Sequence, residues 1–461
     1  MIHILPAGAG LLLAGVALHV VRIRDGQAAR KIATIGSAAV LLVLATTAAI
    51  AAATGAPELD LFGFRAHWDC GEGRDVAPFV DLLVVLLAVG MAPLASHPPR
   101  TLSAVLQVGA LALLFLAFSE PWVLAVLWAL SAAVVARELS ASGGSSCVMS
   151  RAFRRYQAPS LLLMFVAAAL ASVAPVAAAV CWLVAICIRE AIVPMHGWLP
   201  ALMAKAPLGL VVVFVGPQLG VHAHVCGVRT LLGVEQVEHL FAVVGAGTAL
   251  LAAALGLVQK DARRAAAWLI ISQTGLVAFG VENASAVGWA GAVLTWQVGA
   301  IGTSGFVMTI AALEARRGAL SLTKPGGSFA RTPRMAVAFL FLGFASVGLP
   351  MTIGFVAEDL LVQGSIDEYP QIGLMLIVVT ALNGMNIMRC FFALFSGQRD
   401  HVGERDLTRL EVVVLTAAMA ALLVTGVAPR LVLGPATNTP ADTGHTHSRP
   451  PSVDGANPDR K

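Results

Sequence analysis

Apolar runs of about 20 residues recur along this chain, each long enough to cross the hydrocarbon core of a bilayer as a single helix. Nothing else in the sequence restricts the fold so strongly. In lipid every backbone polar group must be satisfied internally, which leaves helices or closed barrels. The apolar mass is Ala, Val, Leu and Gly with only 2 Tyr, which suits closely packed helices rather than a barrel with aromatic girdles. With 58% hydrophobic and 12% charged residues over 461 positions, a soluble domain is excluded. The expectation is an all-α polytopic membrane protein. The net charge of +4 is spread over short loops rather than one surface, so no nucleic-acid partner is expected.

Hydropathy divides the chain into about fourteen spans, near 2–21, 32–54, 77–96, 101–119, 121–137, 157–172, 175–203, 207–229, 238–258, 265–281, 285–313, 335–363, 370–397 and 411–433. The division at 172–175 is the weakest; without it the count is thirteen. The positive-inside rule tests the count. With the N-terminus outside, the loops assigned to the cytoplasm hold about 21 of the 30 basic residues, and the outer loops and tail about seven. A miscount by one would scramble that asymmetry, so both termini are expected outside. The first run lacks a basic n-region and reads as a retained helix rather than a cleavable signal. We divide the chain into N-terminal helices 1–5 (1–156), a core (157–434) and a polar tail (435–461) too rich in Pro, Thr, Ser and Asp to bury, read as disordered; His445 and His447 in it read as solvated.

Two spans carry helix breakers and ionisable groups at membrane depth. They are Arg189-Glu190-Ala191-Ile192-Val193-Pro194-Met195-His196-Gly197-Trp198-Leu199-Pro200 and Gly348-Leu349-Pro350-Met351-Thr352-Ile353-Gly354-Phe355-Val356-Ala357-Glu358-Asp359. A charge in hydrocarbon persists where it faces protein or water, and broken backbone there needs a cavity. Paired broken helices bearing charges are how a membrane protein builds an ion route.

At this point the motifs match a family. The first segment, continuing through Lys205-Ala206-Pro207, resembles the seventh-helix segment of the antiporter-like membrane subunits of respiratory complex I and Mrp-type antiporters. Gln259-Lys260-Asp261-Ala262-Arg263-Arg264 followed by Ile271-Ser272-Gln273-Thr274-Gly275 looks like that family's loop and tenth-helix signature. The second segment resembles its broken twelfth helix, and Arg389-Cys390-Phe391-Phe392 with Asp406-Leu407 the region after the thirteenth. The likeness covers roughly 175–410. It implies two inverted five-helix repeats, each with one broken helix, and proton translocation within a multi-subunit complex.

The resemblance also assigns positions. Glu358 falls on the ionisable position of the twelfth helix, with Asp359 beside it, and is the leading proton carrier. Arg189 falls on the seventh-helix lysine; a guanidinium does not deprotonate in proteins, so it biases a neighbour but relays nothing. Glu190 can titrate and pair locally with it. The fifth-helix glutamate is missing, its context being Trp128-Ala129-Leu130, and Glu120 and Glu138 lie at span ends. Val215 stands where many members place a histidine. His222 and His224 follow two turns on and, two apart, face different sides of the helix; one lines a path while the other packs. The eleventh span around Trp296-Gln297-Val298-Gly299-Ala300 has no histidine or lysine, and Asp81 in the third is an isolated acid. Lys260, Asp261, Arg263 and Arg264 form a cytoplasmic loop, Asp261 suited to a helix N-cap and the basic residues to headgroups or a partner.

The six cysteines show no C-x-x-C and no zinc-ligand spacing with histidine, and we find no iron–sulfur, haem, flavin or dinucleotide motif. No cofactor, metal site or catalytic site is therefore expected in this chain, and any dehydrogenase name would follow from the family. Its departures from the respiratory residue set resemble those of the membrane half of two-component inorganic-carbon systems, whose partner is a large soluble zinc protein. The competing readings are a subunit of an NADH:quinone oxidoreductase or Mrp-type antiporter, and a non-conducting scaffold. The location implied is a bacterial cytoplasmic membrane, in contact with lipid and other subunits.

Overall fold

The structure is a computed structural model that describes residues 4–54, 76–141, 145–228, 235–282, 285–327, 329–366, 370–397, 405–429 and 432. The polar tail at 435–461 lies outside the described residues. The helices are Ile4–Val20 (α1), Gly26–Thr54 (α2), Ala77–Gly90 (α3), Pro99–Ala117 (α4), Pro121–Ala141 (α5), Ser145–Leu170 (α6), Pro175–Arg189 (α7), Trp198–Met203 (α8), Leu208–Val215 (α9), Leu219–Ala223 (α10), Glu235–Leu257 (α11), Ala262–Gly280 (α12), Ala286–Arg317 (α13), Pro333–Ala345 (α14), Ile353–Ile366 (α15), Pro370–Phe395 (α16) and Arg409–Val427 (α17). Every expected span is occupied by one of these helices or by a broken pair. Among the described residues there is no strand, only a single bridge between Asp261 and Ser321.

Local chemistry sets the boundaries. Proline in the first turn starts α3, α4, α7 and α14, where its missing N–H is no loss. Ser285 caps α13 through its side chain, and Thr408 with Glu411 forms a capping box on α17. The turn between Leu170 and Pro175 separates α6 from α7, so the two stretches are distinct helices.

Helices α3 and α13 are buried on nearly all faces, whereas α2, α16 and α17 leave Leu42, Ile377 and Val413 exposed. Between helices in a membrane the gain comes from close packing, and small residues permit it. The 32-residue α13, about 48 Å long, is the keel of the second half. A Cβ on Gly291 would overlap the backbone of Leu361 in α15, and one on Gly302 or Gly305 would meet Ser346 or Leu342 at 2.9 and 2.7 Å. Both halves of the second broken helix thus lie along glycines of α13.

Candidate functional site

The first break follows from Ala191, held at φ 57°, and from Pro194, which offers no N–H. A short 3-10 turn, Met195–Gly197, then leads into α8. The carbonyls freed at the end of α7 are taken up locally: Ile192 N–H donates to Cys187 O at 2.9 Å and the Trp198 indole to Ile188 O at 2.9 Å. From α11, the Thr248 hydroxyl accepts the Val193 N–H at 3.2 Å.

Arg189 is buried between two rings, its guanidinium 4.4 Å from the centroid of Trp128 and 4.1 Å from that of Phe214. Its Nη1 donates to Ser131 Oγ at 3.0 Å and toward Trp128 O at 3.5 Å. Nε and Nη2 have no hydrogen-bond partner among the described residues. The fifth helix therefore meets Arg189 with an aromatic face and a hydroxyl, at the position where the resemblance implies a carboxylate. Glu190 turns the other way, and its Oε1 accepts the Gly220 N–H at 2.8 Å. No hydrogen bond or close salt bridge joins Glu190 to Arg189 among the described contacts, so the two neighbouring charges act on each other only through space.

The eighth span carries a further interruption. Gly216-Pro217 ends α9, Gln218 sits at φ 42°, and α10 runs into a π turn, His224–Val228. The indole of Trp296 on α13 donates to Pro217 O at 2.7 Å, fixing the break. The two histidines diverge as expected. His222 Nε2 lies 2.9 Å from Phe118 O, with the ring edge-on to Phe115. His224 stacks on Phe241 and lies 2.6 Å from Glu282 Oε1, both side chains at most 5% exposed. Glu190, Gln218, His224 and Thr274 share the lining of a cavity of ≈ 20 Å³, room for about one water. The cavity sets the Glu190 side chain and the ring of His224, itself paired with Glu282, along one lining.

Uncharged polar side chains are also buried in the interior. Gln218 Nε2 donates to Thr274 Oγ1 at 3.3 Å, and Asn383 Nδ2 to Ser272 Oγ at 2.8 Å. Gln273, buried beside Gly299, has no hydrogen-bond partner for either end of its amide among the described residues. Buried amides left in this state are normally satisfied by water.

At the second break Gly348 and Met351 take φ 85° and 71°. Glu358 lies on α15 past the break, and its carboxylate reaches back over the turn: a Cβ on Gly348 would sit 2.5 Å from Oε2. Its Oε1 is buried without a hydrogen-bond partner among the described residues, while Thr380 on α16 hydrogen-bonds the carboxyl group. Asp359 is exposed and accepts from Gln363 Nε2 at 2.7 Å, a local i,i+4 contact. Asp81 is buried in α3, its Oδ2 without a partner among the described residues.

In the 260–264 loop, Asp261 caps α12 by accepting the Arg264 N–H at 3.0 Å. Lys260 and Arg264 face outward. Arg263 turns inward and clamps three elements, donating to Glu314 Oε2 at 2.6 Å and to the carbonyls of Met203 and Ala206 at 3.2 and 2.9 Å.

Sequence reasoning missed Glu282 and Gln273. Glu282 stands just past the tenth span and reads as a loop acid; Gln273 sits inside a matched motif, but a neutral amide attracts no attention. The signal for a break in the eighth span, Gly216-Pro217, was there to be read.

A family described as "NADH:quinone oxidoreductase/Mrp antiporter, TM" matches residues 148–383, just over half of the chain and including both broken helices. NADH-quinone oxidoreductase subunit M of Pseudomonas aeruginosa is 27% identical over 258 residues, 54% of this chain and 50% of that protein. The chain thus spans about half the length of the curated relatives it matches. Among solved structures, a chain of respiratory complex I from Thermus thermophilus with bound NADH superposes with a TM-score of 0.81 at 21% identity, covering 93% of this chain and 96% of that one. A chain of the Mrp complex from Dietzia sp. DQ12-45-1b gives 0.76 at 19% identity, with the same coverage. At these identities the likeness shows the fold, and it extends through the N-terminal helices that the family match leaves out.

Proposed function

The chain belongs to the NADH:quinone oxidoreductase/Mrp antiporter membrane family, and from that premise we propose that it conducts protons as the membrane subunit of a larger complex. The observation that carries this is the Glu190 carboxylate, placed at the first break against a one-water cavity shared with His224 and, through it, Glu282. Glu190 holds the proton, Arg189 supplies a fixed positive charge beside it, and the His224–Glu282 pair passes the proton toward the end of α12. Glu358 is the corresponding station of the second half. Buried uncharged side chains such as Gln273 hold water without titrating themselves.

Replacing Glu190 by Gln tests this, since Gln can still accept the Gly220 N–H but cannot titrate. In membrane vesicles carrying the native complex, E190Q lowers proton flux at least about tenfold while complex yield stays normal. Unchanged flux at normal yield overturns the proposal and leaves the scaffold reading, which the caged Arg189 and the uncharged buried side chains favour.

The finer reading is the membrane half of a two-component inorganic-carbon system, with inward proton flow energising bicarbonate formation on a large soluble zinc protein. Its support is Ala129 and Arg189, standing where the resemblance implies the glutamate and lysine of respiratory members. A subunit of an NADH:quinone oxidoreductase or of an Mrp-type antiporter is the alternative. The distribution of basic loops supports a bacterial cytoplasmic membrane with both termini outside.

A further inference from the structure

The ends of α1, α4 and α5 enclose a cleft of ≈ 380 Å³ that the proton route does not use, lined by Val21, Arg100, Ser103, Gln107, Arg137 and Ala141. Its polar wall is a connected frame across the three helices. Ser103 Oγ donates to Ala17 O at 2.8 Å, Gln107 Nε2 to Ser103 Oγ at 3.1 Å, and Arg137 Nη2 to Gln107 Oε1 at 2.7 Å. On the other side, Arg100 Nε and Thr101 Oγ1 donate to the two oxygens of buried Glu138 at 2.8 and 2.6 Å. The remaining N–H groups of both guanidiniums make no hydrogen bond to the described residues, and both side chains are exposed. Two arginines and one glutamate leave a net charge of +1.

We propose that this cleft binds the phosphodiester headgroup of an anionic phospholipid. Guanidinium forks match phosphate oxygens in geometry as well as charge, and one phosphodiester neutralises the net +1. The depth fits too. Arg100 is in the first turn of α4, Arg137 in the last turns of α5, and Val21 directly follows α1, so the cleft opens at the membrane surface on the face carrying most basic loops. The apolar wall at Val21 continues along α1 through the exposed side chains of Leu18 and Leu11, a lane for the acyl chains.

The test is native mass spectrometry of the full chain in detergent with an equimolar mixture of phosphatidylglycerol and phosphatidylcholine, with thermal stability titrated against each lipid alone. The wild type retains phosphatidylglycerol selectively. Arg137→Gln leaves the Arg100–Glu138 pair intact and weakens retention about tenfold; Gln107→Leu keeps both charges but frees Arg137 from its frame, and weakens it severalfold. Millimolar inorganic phosphate does not displace the lipid. Equal retention by the wild type and both variants overturns the proposal. So does displacement by inorganic phosphate, which would mark a site for a free anion. Neither outcome depends on whether Glu190 conducts protons.

Discussion

Arg189 and Glu190 are neighbours in sequence and opposites in role. The guanidinium cannot release its proton, and its seat between Trp128 and Phe214 makes its charge a fixture. That it relays nothing is legible from its identity; that aromatic rings rather than a carboxylate hold it is not, because Trp128 is 61 residues away in the chain. His97 shows the same limit at a loop. Its Nε2 accepts the Gly209 N–H at 3.1 Å, so Nδ1 carries the proton and faces Pro93 O and Ser96 Oγ. Burial pushes its pKa down to about 4 against the pull of the Pro93 carbonyl, with nearby Arg263 lowering it further. The unfolded chain takes up this proton near pH 6.5 and the folded chain only near 4. Stability therefore falls as pH drops through that window, by at most about 3 kcal/mol. Thermal unfolding in detergent at pH 7.5 and pH 5 measures the loss, and His97→Gln shrinks it. An unaltered pH dependence in that variant would disprove the assignment.

Among the elements, the interruptions were the most legible and their supports the least. Proline and glycine announce where helices stop, so the breaks after Arg189 and near Gly348 stand where the sequence places them. What keeps a broken helix in place is a neighbour smooth enough to lie against. Along α13 the glycines do this, and their effect depends on which helix faces them. A methyl added at Gly291 would collide with the backbone of Leu361, whereas one at Gly15 on α1 would meet nothing within 4 Å. Gly291→Ala should thus lower stability by about 1–3 kcal/mol as α15 is pushed away. Gly15→Ala should be neutral or stabilising by up to about 1 kcal/mol through helix propensity. Thermal unfolding of the two variants side by side separates packing from propensity; equal effects would remove the keel role from α13.

For the molecule as a whole, the proposed proton route carries no source of energy of its own, so the partner decides what the flow accomplishes. Affinity purification of the chain from its host in mild detergent, with mass spectrometry and a zinc assay, should recover a large soluble zinc protein. Recovery of iron–sulfur or multiple antiporter-like subunits instead would assign it to a respiratory or antiporter complex. The sequence by itself determined that the chain is a helical membrane protein, where two of its helices break and which family it resembles. These are local properties: hydropathy, proline, glycine and charge act on the residues next to them. Only the tertiary structure decided that Glu190 meets Gly220, that His224 finds Glu282 58 residues away, and that the Gln273 amide is buried without a partner among the described residues. In a membrane those meetings are set by how closely helix backbones approach one another, and that distance depends on pairs of faces that no single segment encodes.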